Sequence, residues 1–411
     1  MQFHNTTLPN GLEIIAECND NAHTSAMGFF VKTGARDEHD EVAGVSHFLE
    51  HMVFKGTARR SADEVNLEFD RMGADYNAYT SEETTVYHAN ILPEFQDRTV
   101  ELLGDIMRPA LRDEDFDSEK KVIIEEIMMY ADQPPYGADD KCRALFFGEH
   151  PLGRSVLGTA ESVGALTSEQ MRDYWRARYN PSNLTLVAAG KVDFEKLVKT
   201  ANQICGGWEP GPSARQRPAL RPRAEFELMH KEQANQEYLI GMTAAPPASD
   251  RQRFAAKAIA VIVGDDTGSR LYWELVDQGL AEHASLHYYG YEDAGAFFTY
   301  LCCEPDDAAK NLAIVRKIYA DAQTNGITPE ELRQAQSKFA SRIVLGSERP
   351  RGRLFVVGSH WQYRREYRSV AEDLQTVRDV TVEECNQLMR DYPLTGGTML
   401  AVGPLTEMAS S

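Results

Sequence analysis

Two histidines and a glutamate in one short run have the types and spacing of a metal-dependent catalytic site. His47 and His51 are four residues apart in the run His47-Phe48-Leu49-Glu50-His51. On a helix this spacing places both imidazoles on one face, one turn apart, where they can bind a single metal ion. Glu50 lies at the edge of that face, close to the metal but free to act as a base. The run therefore predicts a metal site with a general base beside it.

The metal that suits two imidazoles and an open position for water is zinc, which takes three protein ligands in catalytic sites. A predicted helix at residues 114–131 offers candidates for the third ligand. Glu119 and Glu126 are seven residues apart on one face, so one can bind the metal while the other orients a ligand. Glu125 points about 100° away and is expected to be solvated. Two carboxylates outside this helix remain open as alternatives: Glu82 and Glu83.

The elements that must position these residues follow from local patterns. The motif is predicted on a helix spanning residues 45–55 that ends at Gly56. The β-branched and aromatic residues of 75–91 predict one or two strands. Pro134-Pro135 is expected to end the helix that carries the candidate glutamates.

A change in composition predicts the domain boundary. Residues 206–224 are rich in glycine and proline and contain four arginines, which are expected to be solvated. We therefore predict a zinc-binding catalytic domain at 1–207, a linker at 208–224 and a second α+β domain at 225–411. The two halves have similar length and strand–helix content, which suggests an internal duplication. The second half lacks an H-x-x-E-H run, so only the first half is expected to hold this metal.

Composition limits the remaining possibilities. The chain has 411 residues and a net charge of −20, which argues against binding to nucleic acid or to anionic membranes. It contains no apolar run of about 18 residues, as a membrane span needs. The N-terminus has no basic and apolar leader, so a cytoplasmic protein is the default expectation. The six cysteines form no C-x-x-C pair and are expected to be reduced, mostly buried thiols.

The run from His47 to Thr57 (HFLEHMVFKGT) resembles the signature of the pitrilysin/insulysin family of inverzincin zinc peptidases. It is most similar to the smaller two-domain members, of the type of the mitochondrial processing peptidase β subunit and its bacterial relatives. Residues 77–81, 119–126 and 179–184 agree with this resemblance. The implied fold has two homologous-looking α+β domains, each an antiparallel sheet with helices packed on one face, enclosing a chamber.

The resemblance also implies an activity and roles for individual residues. The activity is that of a zinc metalloendopeptidase acting on peptides or unfolded segments. Glu126 matches the third zinc ligand, and Glu119 matches a supporting glutamate of the catalytic site. Asn77, Ala78 and Tyr79 match an edge strand that binds substrate as an added β-strand.

One departure from the family pattern concerns the second half. Active members usually carry an arginine and a tyrosine in a run that matches residues 275–283, where this chain has Val276 and Glu282. This predicts a homodimer or heterodimer, with a paralogue supplying the pair, unless Arg270 or Tyr272 substitutes. The alternative function is a binding or assembly subunit with little activity of its own. A zinc hydrolase of unrelated fold is a weaker alternative, because the predicted edge strand favours peptides.

Overall fold

The structure is a computed structural model that describes residues 1–132, 135 and 137–408. The predicted end of a helix at Pro134-Pro135 lies partly outside the described residues, at Pro134. The strands, in chain order, are β1 (Gln2–Thr7), β2 (Glu13–Cys18), β3 (Ser25–Val31), β4 (Asp75–Thr80), β5 (Thr85–Ile91), β6 (Leu184–Gly190), β7 (Phe226–His230), β8 (Glu237–Ala245), β9 (His283–Gly290), β10 (Gly295–Cys303) and β11 (Thr398–Gly403). The helices are α1 (Val45–Val53), α2 (Ala62–Arg71), α3 (Gln96–Ile106), α4 (Asp113–Asp132), α5 (Ala138–Phe147), α6 (Ala160–Ala165), α7 (Ser168–Arg178), α8 (Phe194–Cys205), α9 (Arg253–Gly264), α10 (Ala308–Asn325), α11 (Pro329–Ser347), α12 (Pro350–Arg364), α13 (Val370–Asp379) and α14 (Val382–Asp391).

The chain divides into two compact units, and neither is continuous in sequence. The first unit consists of residues 1–128, 154–216 and 345–368. The second consists of residues 129–153, 217–344 and 369–411. This division differs from the predicted domains at 1–207 and 225–411, because α12 packs in the first unit and α5 in the second. The sequence of an amphipathic helix does not specify which sheet the helix covers. Composition alone therefore did not predict the placement of α5 and α12.

The first unit is built on a six-stranded sheet with the order β1-β2-β6-β3-β5-β4. All neighbours are antiparallel except β2 and β6, which are parallel. Helix α1 contributes Phe48 and Leu49 to the core on one face. The other face is covered by Leu354 and Val357 of α12, which pack against Phe30 and its neighbours. Helices therefore cover both faces, and this explains why β3 and β6 are continuously buried instead of alternating.

The second unit is built on a five-stranded sheet with the order β7-β11-β8-β10-β9. Its one parallel pair is β7 with β11, which corresponds to β2 with β6 when the outermost strand β1 is left out. The sheet thus repeats the pairing order β2-β6-β3-β5-β4 of the first unit, which supports the internal duplication. Helices α9, α10 and α14 contribute to the core on one face, and α5 covers part of the other.

The structure agrees with the expected burial of most cysteines and contains no candidate membrane span among the described residues. Among the described residues, no helix combines the length and the apolar composition needed to cross a membrane. Cys18 is partly buried, the other five cysteines are buried, and all six carry free thiols.

Arg215 corrects the expectation that the arginines of residues 208–224 are solvated. Its side chain is 3% exposed. It donates to Asp37 over 2.7 and 2.9 Å, and to the backbone carbonyl of Glu83 over 2.6 Å. The guanidinium binds the buried carboxylate of Asp37 in a bidentate manner and also lies 3.6 Å from the buried carboxylate of Glu83. The beginning of the predicted linker is therefore fixed to the first unit.

Replacing Arg215 by alanine is expected to destabilise the first unit by about 2 kcal/mol, the usual scale of a hydrogen-bonded contact to a charged group. The loss is partial because Arg178 still lies 3.6 Å from Asp37. Urea unfolding followed by circular dichroism would measure the change. Arg221→Ala is the matched control, because Arg221 is exposed; an equal loss in both variants would contradict this role of Arg215.

Candidate metal centre

Helix α1 is held at its N-terminus by a buried carboxylate. Glu38 accepts hydrogen bonds from the backbone N–H groups of Gly44 and Ser46, over 2.8 and 2.7 Å. Burial raises the pKa of Glu38 to about 8, although these hydrogen bonds and Arg154 oppose the increase. Glu38 satisfies donors that have no partner within the helix, as a capping side chain does. The helix that carries the histidines therefore starts from a defined position.

Three candidate ligands come together between α1 and α4. The Nε2 atoms of His47 and His51 lie 3.9 and 3.8 Å from the same Oε2 atom of Glu126. One ligand atom from each residue falls within 4.8 Å of the others. The two imidazole rings are 4.8 Å apart at their centroids and inclined by 69°. A donor set of two imidazoles and one carboxylate, gathered around one point, fits zinc with an open fourth position.

The state of His47 suits metal binding. Burial, and then the neighbouring His51, lowers the pKa of His47 to about 4. The imidazole is therefore neutral at physiological pH and keeps a lone pair for a metal. Its Nδ1 atom is buried without a hydrogen-bond partner in the described part of the chain.

His51 is oriented by a second carboxylate. Its Nδ1 atom lies 3.0 Å from Glu119 Oε1, and Lys55 Nζ lies 2.5 Å from the other oxygen, Oε2. Burial acts to lower the pKa of His51, but the Glu119 hydrogen bond and the charges of Glu50 and Glu126 outweigh burial and raise it. In the metal-free protein this raised pKa stabilises the fold at low pH, and the contribution is lost as the pH rises through it. The hydrogen bond at Nδ1 directs Nε2 towards the metal position.

Replacing Glu119 by glutamine is expected to weaken zinc binding by about 10- to 100-fold, the usual effect of losing a hydrogen-bond partner of a metal-bound histidine. The amide lacks the charge that holds His51 and Lys55. Competition with a fluorescent zinc chelator would measure the affinity. Glu125→Gln is the matched control on the same helix, because Glu125 is exposed and outside the cluster. Unchanged affinity in Glu119→Gln would rule out the orienting role.

Glu50 lies beside the cluster and is not one of its three members. Its Oε2 atom accepts a hydrogen bond from the hydroxyl of Thr80 over 2.6 Å. Burial raises the pKa of Glu50, and the Thr80 hydrogen bond opposes the increase. A carboxylate whose basicity is raised by burial, on the same helix as both imidazoles and within electrostatic reach of His51 and Glu126, is suited to proton transfer.

Asn77, Ala78 and Tyr79 lie on β4, the edge strand of the first sheet, whose single neighbour among the described strands is β5. The Asn77 side-chain oxygen accepts from the Ala78 N–H over 2.9 Å. Tyr79 is 38% exposed. The sequence-predicted substrate residues are thus together on an open sheet edge, and the same strand reaches Glu50 through Thr80.

The alternative third ligands are not at the cluster. Glu83 is buried and pairs with Arg36 over 2.6 Å. Neither Glu83 nor Glu82 belongs to the potential metal-binding group found among the described residues. Glu125 is exposed on α4, as its position on the helix predicted.

In the second unit, the residues at the expected arginine and tyrosine positions cannot donate hydrogen bonds as an arginine and a tyrosine would. Val276 packs against the apolar core, and Glu282 is exposed. Arg270 is held by Glu331 over 2.7 Å and by Asp321 over 3.1 Å. These ion pairs argue against Arg270 as the substitute for the missing arginine.

Sequence reasoning missed three residues that support the site: Glu38, Lys55 and Thr80. Lys55 lies in the turn just after α1, and its contact with Glu119 depends on how α4 approaches that turn. Thr80 lies on a predicted strand, and alternation along β4 places it on the same face as Ala78. Its contact with Glu50 depends on how the strand packs against α1. Glu38 lies in an irregular loop, and no local pattern marks it.

Known protein families and structures resemble this chain over nearly its whole length. Residues 13–160 match the family model described as insulinase (peptidase family M16). Residues 165–339 match the model described as peptidase M16 inactive domain. An uncharacterized zinc protease of Mycobacterium leprae is 31% identical over 93% of this chain and 87% of its own length.

Two further matches extend the comparison. An uncharacterized zinc protease of Streptomyces coelicolor is 30% identical over 99% of this chain and 90% of its own length. The crystal structure of a protease from Helicobacter pylori matches with a TM-score of 0.91 and 21% identity, over 98% of this chain and 99% of that one. The structural match supports the two-part fold with open sheets.

Proposed function

The chain belongs to the M16 (insulinase) peptidase family, and on this basis we propose that it is a zinc-dependent endopeptidase acting on peptides or unfolded segments. The observation that carries the proposal is the convergence of His47, His51 and Glu126 within 4.8 Å, with Glu50 beside them. If these three residues only stabilised the fold, the cluster would need neither the buried base Glu50 nor the open edge of β4 beside it.

His47, His51 and Glu126 would hold the metal, and Glu119 would keep His51 in the tautomer that leaves Nε2 free. When bound, zinc supplies Lewis acidity, which polarises a peptide carbonyl and lowers the pKa of water. The neutral state of His47 and the hydrogen bond at His51 Nδ1 both fit this donor set.

Glu50 supplies the proton transfers of the proposed reaction. It accepts a proton from the attacking water while the water oxygen bonds to the peptide carbon. It then returns that proton to the leaving amine as the carbon–nitrogen bond breaks. Burial raises the pKa of Glu50, which makes its carboxylate a stronger base towards the attacking water.

The free edge of β4 supplies the substrate site. An extended peptide would add to the sheet through main-chain hydrogen bonds, with its scissile bond near Glu50. This mode requires a segment without stable structure of its own, so peptides and unfolded segments are the expected substrates. Asn77, Ala78 and Tyr79 are the residues that would line it.

A second candidate function is a binding or assembly subunit that turns over substrate only with a partner chain. The identities of Val276 and Glu282, and the ion pairs of Arg270, favour it. The partner would be a second copy or a paralogue that supplies an arginine and a tyrosine.

The two functions are separated by testing the purified chain alone. We expect it to cleave a quenched fluorescent peptide with zinc, to lose this activity with a chelator, and to regain it when zinc is restored. A binding subunit would instead bind the same labelled peptide in a polarisation assay without cleaving it. Cleavage that persists after complete zinc removal would contradict the proposed chemistry.

A further inference from the structure

Thr80 makes the only hydrogen bond to the Glu50 side chain that the described residues provide. The Thr80 hydroxyl donates to Glu50 Oε2 over 2.6 Å. A second hydroxyl, that of Thr85, lies 3.4 Å from Thr80 Oγ1, but its own hydrogen is donated to the backbone carbonyl of Thr33 over 3.0 Å. Thr80 has one hydrogen to donate, and the short contact commits it to Glu50. Oε2 therefore accepts this hydrogen bond, and Oε1 accepts none from the described residues.

The backbone of Thr80 faces the open edge of the sheet. The turn after β4 is closed by a hydrogen bond from Ser81 N to Thr84 O over 2.9 Å. In an antiparallel pair, positions that exchange hydrogen bonds alternate with positions that do not. Because Ser81 and Thr84 are hydrogen-bonded, the next pair, Thr80 and Thr85, exchanges no backbone hydrogen bonds. The N–H and C=O groups of Thr80 therefore point away from β5. Thr80 contacts Glu50 with its side chain and offers its main chain to an added strand.

The side chain and the main chain of Thr80 thus face two parts of the candidate site. On the basis of the proposed peptidase function, we infer that Thr80 is a positioning residue of the reaction. Its hydroxyl holds the Glu50 carboxylate with Oε1 directed at the attacking water, while its main chain anchors the peptide beside it. The same residue thereby fixes the distance between substrate strand and base. Without the hydroxyl, the Glu50 side chain is free to rotate, and productive orientations become rarer.

The test compares Thr80→Val with Thr80→Ser in the zinc-loaded full chain. Valine keeps the shape and the strand preference of threonine but has no hydroxyl, whereas serine keeps the hydroxyl. With a quenched peptide substrate, Thr80→Val should lower kcat by about 10- to 100-fold, the effect of losing a hydrogen bond to a charged group. KM should stay near the wild-type value, because the main-chain contacts remain. Thr80→Ser should retain most of kcat.

Thr84→Val is the control for losing a buried threonine hydroxyl nearby, because Thr84 bonds to Gln362 over 2.8 Å and not to the site. It should leave kcat unchanged. Zinc content and thermal melting show that each variant is folded and loaded.

Several outcomes would overturn the inference about Thr80. Wild-type kcat in Thr80→Val would do so, as would a rise in KM alone, or an equal loss of kcat in Thr80→Ser. These results leave the peptidase proposal standing, since the wild-type chain still cleaves. If the zinc-loaded wild-type chain cleaves no peptide, the proposed function fails first, and the role of Thr80 fails with it.

Discussion

Replacing Glu50 by glutamine is expected to lower kcat/KM by about 10²- to 10⁴-fold while zinc stays bound, because an amide has no basic oxygen to accept the proton from water. Glutamine has the same size and can still accept the Thr80 hydrogen bond, so the local packing is preserved. The three candidate ligands are untouched. The variant therefore separates proton transfer from metal binding.

Peptide cleavage and zinc content measured on the same preparation would check this prediction. Glu41→Gln is a suitable control, since Glu41 is an exposed glutamate in the loop before α1. It should match the wild type in both measurements. Full activity in Glu50→Gln would exclude Glu50 as the base, and loss of zinc would mean that it acts in metal binding.

Replacing Glu126 by alanine is expected to weaken zinc binding by more than the 10- to 100-fold typical of an outer hydrogen-bond partner, and to abolish cleavage. Its Oε2 atom lies 3.9 Å from His47 Nε2 and 3.8 Å from His51 Nε2, so its removal leaves a two-imidazole site. Glu125→Ala is the matched control, one residue away on the exposed side of α4.

Competition with a chelator of known affinity would give the zinc dissociation constants of both variants. Comparable affinities for Glu126→Ala and wild type would place the third ligand elsewhere. Adding excess zinc should not restore normal cleavage in Glu126→Ala, because the carboxylate also completes the charge of the site.

Helical spacing was enough to predict much of the site. The four-residue interval between His47 and His51 and the seven-residue interval between Glu119 and Glu126 each place two side chains on one face. The structure brings His47, His51 and Glu126 together and places Glu119 against His51 Nδ1. Spacing did not decide which of the two glutamates joins the cluster. That assignment came from family resemblance, since the approach of α4 to α1 is a tertiary property.

Contacts between elements far apart in sequence were the least predictable. Arg215 was expected to be solvated because it lies in a proline- and glycine-rich segment, but two buried carboxylates from other loops surround it. Helix α12 was assigned to the second domain by its position in the chain, yet its apolar side chains cover the first sheet. In each case the local sequence does not specify which distant residues the side chains contact.

The most direct test of the central claim is mass spectrometry of a peptide incubated with the zinc-loaded chain in water enriched in heavy oxygen. A zinc endopeptidase should break an internal peptide bond and place heavy oxygen in the new C-terminal carboxylate, and chelation should prevent both. A peptide that stays intact while zinc is bound would contradict the proposed activity.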